Sequence, residues 1–202
     1  MQFYNHIGMM KSDAGGLCTP VVGSDFTSSA GTSNLNRYPA YGLYDYSHSM
    51  FIVQQSEIGA GEKQIENLQI DLGGYSSGYT FTDQTIKLAH VTQSEFGASV
   101  QVDLSGLTVS DLTEVKSNFT LNAHPSGWKT LSFDTNFCYN GTDNLLIIWE
   151  NRDGTWSSGY GYAESWFDNS NYLSWYKHQD NTYPTGFGTR DQSYRPNIRL
   201  GY

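Results

Sequence analysis

The chain has 202 residues, which is enough for one domain with a substantial core. It carries 20 acidic and 11 basic residues, for a formal net charge of −9, and the basic residues form no run. Because phosphate-binding surfaces need clustered Lys and Arg, nucleic acids and anionic membranes are poor candidate partners. Aromatic residues make up 15% of the chain and there are 21 glycines, a composition that favours short strands joined by tight turns.

Residues 1–43 are predicted to form an extended N-terminal arm with loops, because they are rich in Gly, Ser, Thr, Asn and Tyr without sustained periodicity. The start of this arm carries more apolar surface than a free tail keeps in water, yet it is too short to build a core of its own. We expect it to anchor the chain to other protein subunits; the alternative is that it folds back as an edge strand. The apolar residues concerned are Phe3, Tyr4, Ile7, Met9 and Met10.

The sequence indicates neither a secretory signal nor a membrane span. Its N-terminus lacks a basic region followed by an apolar region. No stretch approaches the roughly 18 uninterrupted apolar residues that a membrane span needs. We therefore expect the chain to start in the cytoplasm and not to insert into a membrane.

From residue 44 to the end of the chain, short strand patterns recur, each bounded by Gly, Asn, Asp, Pro or Ser. About ten strands in roughly 150 residues predict an all-β domain over residues 44–202, built as an antiparallel two-sheet sandwich. Residues 92–96 and 109–115 could each form a helical turn between strands. The predicted strands are MFIVQQ, NLQIDLGG, TIKLAHV, SVQVDL, NFTLN, WKTLSF, NLLIIWE, NYLSWYK and RPNIRL.

One predicted strand contains five consecutive apolar residues. Residues 145–149 read LLIIW, directly after a turn and without a polar interruption before Glu150. Such a run is typical of a central strand covered on both faces, or of a strand whose outer face is roofed by a loop or another chain. We therefore predict that Leu146 and Ile148 are buried.

The sequence lacks the motifs of common catalytic and metal sites. It contains no HExxH or Walker A motif and no GxGxxG after a strand, so we assign no catalytic residue; paired carboxylates leave a hydrolase as a third class. The five histidines lack metal-site spacing, and His90 is expected to be a core or rim histidine. Cys18 and Cys138 could be bridged, although the usual burial of free cysteines favours two buried thiols.

The densest aromatic zone lies between residues 156 and 183. Aromatic rings with Asp and Asn nearby occur in sugar-binding clefts, in protein interfaces and in loops that pack over a sandwich, and all three interpretations stay open. The residues predicted to bind a ligand are Trp156, Tyr160, Tyr162, Trp166, Tyr172 and Trp175.

Several segments together resemble the jelly-roll β-sandwich domain of secreted bacterial surface proteins, akin to cleaved-adhesin domains. The resemblance covers about residues 44–200 and rests on YDYSHS, HVTQSEF, GWKTLSFDTNFCYNGTDNLLIIWEN and SYRPNIRL in this order. It implies jelly-roll connectivity of the sandwich. Jelly-roll sandwiches often hold one calcium ion, to which NGTDN or NRDGT could contribute oxygens, although Asn-Gly and Asp-Gly turns explain both segments. We expect no other cofactor.

These features together favour a non-enzymatic function. A surface-type sandwich without an export signal can leave a cell by lysis, so the leading expectation is a structural or decoration protein of a bacteriophage virion or another extracellular assembly. Its partners would be protein subunits of that assembly, including copies of itself. The alternative is an adhesin that binds surface glycans, which an open groove in the aromatic zone would favour.

Overall fold

The computed structural model describes most of the chain from residue 26 onward. The described residues are 26–27, 31, 33–35, 37–73, 79–122, 125–157, 163–167, 171–192 and 194–202. Within them the chain forms thirteen strands and one helical turn. These elements are β1 (Phe26–Thr27), β2 (Ser33–Leu35), β3 (Tyr46–Val53), α1 (Gln55–Ile58), β4 (Lys63–Leu72), β5 (Thr80–Val91), β6 (Val109–Asn122), β7 (Gly127–Tyr139), β8 (Asn144–Asn151), β9 (Ala163–Phe167), β10 (Ser174–Gln179), β11 (Thr189–Asp191), β12 (Tyr194–Pro196) and β13 (Ile198–Gly201).

The strands form two antiparallel sheets, as their spacing in the sequence predicts. Sheet B has the order β11-β10-β3-β8-β5-β6. In sheet A, β4 lies between β7 and β13, and β1 pairs with β13. The short strand β9 pairs with the end of β4 and with both β2 and β12. The prediction of an all-β, two-sheet architecture is therefore confirmed.

The main core lies between the two sheets. Sheet B contributes alternate residues of its central strands, such as Phe51, Leu88 and Ile147, and sheet A contributes residues such as Ile70 and Leu200. Each of these side chains is at most 1% exposed. Burying a side chain of this size stabilises the fold by about 1.5–3 kcal/mol. A one-residue shift of any central strand would turn several of these side chains out of the core, and this stabilisation would be lost for each of them. The alternation of apolar residues thereby fixes the register of these strands.

The second face of β8 is covered by the chain itself. Residues 92–108, here called the roof loop, contribute to a second core on the outer face of sheet B. Leu146 and Ile148 lie in this core and are 0% and 2% exposed, together with Phe96 and Val100 of the roof loop. The predictions that β8 is an interior strand and that both residues are buried are confirmed.

The roof loop is tied down by backbone hydrogen bonds to two later segments. Phe96 N–H donates to the Tyr172 carbonyl at 2.8 Å, and Val102 N–H donates to the Gly186 carbonyl at 3.0 Å. Gly106 has a φ of 92°, and a Cβ there would lie 2.9 Å from a backbone oxygen of the same loop. Only glycine fits this tight reversal, which lets the loop return to β6.

A buried arginine connects the two sheets. Arg195 of β12 is 1% exposed, and its guanidinium donates to both carboxylate oxygens of Glu57, at 2.8 and 2.5 Å. It also donates to the carbonyl of Ile52 in sheet B at 3.1 Å. Glu57 in turn accepts the N–H of Gln54 at 2.9 Å, which closes the capping box of α1. The bidentate pair thus explains why a single helical turn is stable directly after β3.

Three segments differ from their predicted structure. Residues 99–104 alternate like a strand but lie in the roof loop, where Val100, Val102 and Leu104 pack into the second core. Residues 109–115 belong to β6 instead of a helical turn, because pairing with β5 satisfies backbone groups that an isolated turn leaves open. Residues 92–96 form no helix.

Part of the predicted N-terminal arm lies on the sandwich. The short strands β1 and β2 pair with β13 and β9. Tyr38 and Ala40 are 0% and 2% exposed and belong to the main core. The apolar residues Phe3, Tyr4, Ile7, Met9 and Met10 lie outside the described residues. Anchoring through them and the division at residues 43 and 44 therefore stay predictions.

We predict that Leu146→Asp or Ile148→Asp prevents folding. A carboxylate at either position would lie in a dry core without a partner, which costs several kcal/mol, comparable with the whole stability of a domain. Leu112→Asp is the matched control, because Leu112 is 50% exposed on β6. Circular dichroism during urea titration checks this, and cooperative unfolding of both core variants at wild-type stability would contradict the two-sided burial of β8.

Candidate functional site

One end of sheet B gathers polar and aromatic residues from three loops. Strands β10, β3 and β8 are antiparallel neighbours, so the start of β3 lies beside the ends of β8 and β10. Asp45 directly precedes β3, Trp156 follows β8, and Asp180 and Asn181 follow β10. The strand order therefore brings together residues that are more than a hundred positions apart in the sequence.

These residues and Leu43 line an open cleft of about 370 Å³, here called the Trp156 cleft. The side chain of Trp156 is 63% exposed, and Leu43 is 37% exposed. Tryptophan is usually highly buried, because its large ring surface gains free energy on leaving water. An indole ring left exposed beside polar groups offers a flat apolar face on which a ligand can stack.

Backbone hydrogen bonds hold the loops of the Trp156 cleft together. Asn181 N–H donates to Oδ2 of Asp45 at 2.9 Å, and Asp45 N–H donates to Oδ1 of Asp180 at 3.4 Å. Gly154 N–H donates to the Asp45 carbonyl at 2.9 Å. Asn181 has a φ of 67°, a left-handed conformation that asparagine adopts more readily than most residues. These hydrogen bonds order the loops that line the cleft.

The polar side chains of the Trp156 cleft keep capacity for further hydrogen bonds. Within the described residues, Oδ1 of Asp45, Oδ2 of Asp180 and the carboxamide of Asn181 have no hydrogen-bond partner. Carboxylates only accept hydrogen bonds, whereas a carboxamide both donates and accepts. Among the described lining residues none is a cation. A ligand with several hydroxyl groups would satisfy this set of atoms.

Tyr183 anchors the loop that carries Asp180 and Asn181. Its hydroxyl lies 2.7 Å from Nδ1 of His48, and the guanidinium of Arg152 lies 3.6 Å from its ring centroid. Burial lowers the pKa of His48 from 6.5 to about 4, so the imidazole is neutral at physiological pH. Burial also raises the pKa of Tyr183 well above its usual range. The loop is therefore fixed by a hydrogen bond between two uncharged side chains.

A group of aromatic rings extends from the cleft along β10. The ring of His178 lies 4.0 Å from that of Tyr44, 4.9 Å from that of Tyr41 and 5.6 Å from that of Tyr176, stacked on the last at 6°. Burial lowers the pKa of His178, with a further contribution from Arg37. Packing among these rings holds the strand ends beside the cleft in place.

The structure distributes the six residues predicted to bind a ligand among different environments. Trp156 lines the cleft. Trp175 is 1% exposed in the second core, so its ring is inaccessible to a ligand. Tyr172 packs against the same core, with the guanidinium of Arg190 at 3.8 Å from its ring centroid. Outside the described residues lie Tyr160, Tyr162 and the side chain of Trp166.

The polar residues of the cleft were not among the residues predicted from the sequence to bind a ligand. Asp45, Asp180 and Asn181 stand in turns, where Asp and Asn commonly bond to their own backbone. Nothing in their local sequence separates a ligand-binding carboxylate from a turn-forming one. The signal that distinguishes them is their position at the ends of adjacent strands, which requires the strand order.

The segments considered for calcium use their oxygens within the protein. Oδ1 of Asn140 accepts the N–H groups of Thr142 and Asp143, each at 3.0 Å. The carboxylate of Asp153 accepts the Tyr79 hydroxyl at 2.5 Å and a backbone N–H at 3.1 Å. In the part of the chain that the structure describes, no group of three or more His, Cys, Asp or Glu could hold a metal ion. Both segments fit the turn interpretation.

Cys138 is disulfide-bonded, so the prediction of two free thiols is wrong. The sequence has one other cysteine, Cys18, which lies outside the described residues. The prediction relied on the usual burial of free cysteine. Cys138 instead occupies an exposed position of β7, between Phe137 and Tyr139, which face the main core.

Comparison with known proteins supplies no family for this chain, which matches neither a protein-family model nor a curated protein. Among the described residues, no helix is long and apolar enough to cross a membrane. The geometry of the Trp156 cleft therefore carries the functional argument.

We predict that stability decreases as the pH falls from about 6.5 towards 4. His48 has a folded pKa of about 4 against 6.5 in the unfolded chain, so the unfolded state binds a proton first and gains free energy as the pH falls. The full effect is on the order of 3 kcal/mol, and it is absent above pH 6.5. Urea unfolding at several pH values measures it. His48→Gln should flatten the dependence between pH 6.5 and 5, whereas an unchanged slope in this variant would contradict the assignment.

Proposed function

We propose that the chain is an extracellular, non-enzymatic domain that binds surface glycans through the Trp156 cleft. The observation that carries this proposal is an indole ring, 63% exposed, in a cleft lined by two carboxylates and a carboxamide. A sugar ring has an apolar C–H face and a rim of hydroxyls. Trp156 would stack on the apolar face, while Asp45, Asp180 and Asn181 would bond the hydroxyls.

The size and order of the cleft support this proposal. Its volume of about 370 Å³ lies in the lower part of the range of roughly 300–1,000 Å³ that small-molecule sites occupy. That volume suits the end of a glycan chain. The hydrogen bonds among Asp45, Gly154 and Asn181 hold the loops in a defined arrangement, so that binding a ligand would not need to order them. A preformed site loses less conformational entropy on binding and therefore gains affinity.

The disulfide at Cys138 supports an extracellular location. Disulfides persist in oxidising surroundings, such as the exterior of cells and of virions, and are rare in the reducing cytosol. The exposed position of Cys138 on β7 would make this bond accessible to cytosolic reductants. A bond of this kind is consistent with a protein that works outside the cell.

A second candidate function is that of a structural or decoration protein of a virion or another extracellular assembly. The observation that favours it is the separation of the N-terminal strands from the cleft. Strands β1 and β2 pair within sheet A, whereas the Trp156 cleft lies at one end of sheet B. Residues that precede β1 could thus attach to other subunits while the cleft stays accessible. On this proposal the sandwich has the jelly-roll connectivity of the cleaved-adhesin-like domains that it resembles.

Trp156→Ala should weaken glycan binding at least tenfold, because truncating a central aromatic anchor commonly costs about 2 kcal/mol or more. The melting temperature should not change, since the side chain is 63% exposed. Phe187→Ala is the matched control, because Phe187 is 60% exposed and does not line the cleft. A glycan array followed by calorimetry with the best oligosaccharide measures both variants. Equal binding by Trp156→Ala, or release of cleaved sugar, would contradict a non-enzymatic site at Trp156.

Deletion of residues 1–16 should leave the melting curve unchanged and prevent incorporation into the assembly. The deletion keeps Cys18 and removes the apolar residues from Phe3 to Met10. Co-sedimentation with purified particles, together with differential scanning calorimetry, measures the two properties separately. A melting temperature lowered by many degrees with assembly retained would show that the arm is part of the core and would refute the anchoring role.

A further inference from the structure

The Trp156 cleft carries negative charge that no cation among its described lining residues balances. Asp45 and Asp180 both line it. Their carboxylates are held by the backbone, because the Asp45 N–H donates to Oδ1 of Asp180 at 3.4 Å and the Asn181 N–H donates to Oδ2 of Asp45 at 2.9 Å. Within the described residues, Oδ1 of Asp45 and Oδ2 of Asp180 accept no hydrogen bond. These two oxygens are available to a donor on a ligand.

Two arginines near this end of sheet B contact other groups. The guanidinium of Arg152 lies 3.6 Å from the ring centroid of Tyr183, and its Nε donates to Glu150 at 3.0 Å. The guanidinium of Arg37 lies 5.2 Å from the ring centroid of Tyr176. Neither arginine is among the residues that line the cleft. A positively charged group of a ligand would therefore meet the two carboxylates of the cleft without competition from a lining cation.

The indole ring of Trp156 is a second, independent feature that favours a positively charged ligand. The face of an indole attracts a cation that lies within about 6 Å of the ring centroid. Elsewhere in the structure, Arg190 and Arg199 use this attraction, each at 3.8 Å from the ring centroid of Tyr172 or Trp128. Among the described residues, no Lys or Arg lies over Trp156, which is 63% exposed. Its face is open to a cation that a ligand brings.

We propose that the Trp156 cleft selects glycans that end in an amino sugar with a free, protonated amine. This inference rests on the proposed function, because it names the sugar that the glycan site takes. The ammonium group would donate to Oδ1 of Asp45 and Oδ2 of Asp180, while the sugar ring stacks on Trp156 and a hydroxyl bonds the carboxamide of Asn181. An N-acetylated sugar is neutral and loses both charged hydrogen bonds. An acidic sugar would bring another negative charge to the cleft.

The free oxygens of the cleft suit an amine better than a metal ion. Calcium takes about six to eight oxygen ligands. The polar side chains among the described lining residues are Asp45, Asp180 and Asn181, and the described part of the chain has no group of three or more His, Cys, Asp or Glu that could hold a metal ion. An ammonium group has three N–H donors, so two carboxylate oxygens and one hydroxyl or water satisfy it.

Three β-1,4-linked glucose disaccharides that differ only at carbon 2 test this selection. They carry a free amine, an acetamide or a hydroxyl at that carbon. Calorimetry and ¹⁵N–¹H NMR of the full chain measure their binding at about pH 6, where a sugar amine is protonated. We expect the amine disaccharide to bind about tenfold more tightly than the other two, because hydrogen bonds between charged groups are the stronger ones. Its binding should shift the indole N–H of Trp156 and the amides of Asp45 and Asn181.

The outcomes distinguish this selection from the glycan site itself. Equal affinity for the three disaccharides at Trp156 would overturn the selection and leave the glycan site intact. The same holds if the amine disaccharide fails to bind while another glycan from an array binds at Trp156. Failure of every glycan to bind would overturn both proposals.

Two aspartate variants separate recognition in the cleft from general attraction to an acidic chain. Asp180→Asn keeps an acceptor for the Asp45 N–H and removes one charge, so it should weaken the amine disaccharide about tenfold and leave the hydroxyl disaccharide unchanged. Asp103→Asn is the matched control, because Asp103 is exposed, accepts the Ser105 N–H at 3.0 Å and lies outside the cleft. It should bind the amine disaccharide as the wild type does. Equal losses in both variants would overturn the proposal.

Two further ligands test the chemistry of the amine. The N-trimethylated form of the amine disaccharide keeps the positive charge but has no N–H to donate, so we expect it to bind about tenfold more weakly than the amine. Equal affinity would contradict hydrogen bonding to Asp45 and Asp180. Calcium chloride alone should not shift the amides of Asp45 and Asn181. Saturable shifts with calcium would mean that the carboxylates hold a metal ion and would overturn the proposal.

Discussion

The burial of β8 on both faces is the constraint on which the rest of the structure depends. A strand that is apolar at five successive positions must lie between two covering layers, and the chain supplies sheet A on one side and the roof loop on the other. The same burial places β3 and β5 at its two edges. Because β3 runs antiparallel to β8, Asp45 and Trp156 emerge at the same end of sheet B. The cleft is thus a consequence of how the core is built.

The polar residues beside the core support the loops of the Trp156 cleft. His48 lies next to Glu150 across β3 and β8, at the point where the apolar pattern of both strands ends. Through Nδ1 it holds Tyr183 and hence the loop of Asp180 and Asn181. A neutral histidine suits this position, because the loss of hydration that a charged imidazole would suffer on burial outweighs its attraction to the nearby Glu150 carboxylate.

Local patterns in the sequence predicted the features that depend on local chemistry. Alternating residues such as Ile86 and Leu88 predicted strands, and the run around Ile147 predicted a central one. His90, on the same apolar face, is a satisfied core histidine, 3% exposed and bonded to Asp111 and Asn140. In each case the pattern of adjacent residues along the strand was enough to predict the secondary structure and the burial of the side chain.

Features that depend on strand order or on distant partners could not be predicted in this way. In residues 99–104 apolar and polar side chains alternate, and this pattern suits both pairing in a sheet and packing onto its outer face. This part of the roof loop was therefore predicted as a strand. Asp45 and Asp180 become candidate ligand-binding residues only through the pairing of β3 with β10, which the sequence alone does not reveal. The prediction for Cys138 weighed a bridge to Cys18 against two buried thiols and followed the usual burial of free cysteine, whereas Cys138 is exposed on β7 and disulfide-bonded.

The most direct test of this account is an NMR titration of the isotope-labelled protein with a neutral oligosaccharide selected from a glycan array. The account predicts that the indole N–H of Trp156 and the amides of Asp45, Gly154 and Asn181 shift together and saturably, while the amides of β8 stay unchanged. Saturable shifts that spare Trp156 and fall on another surface would contradict the central claim that this preformed cleft is the glycan site.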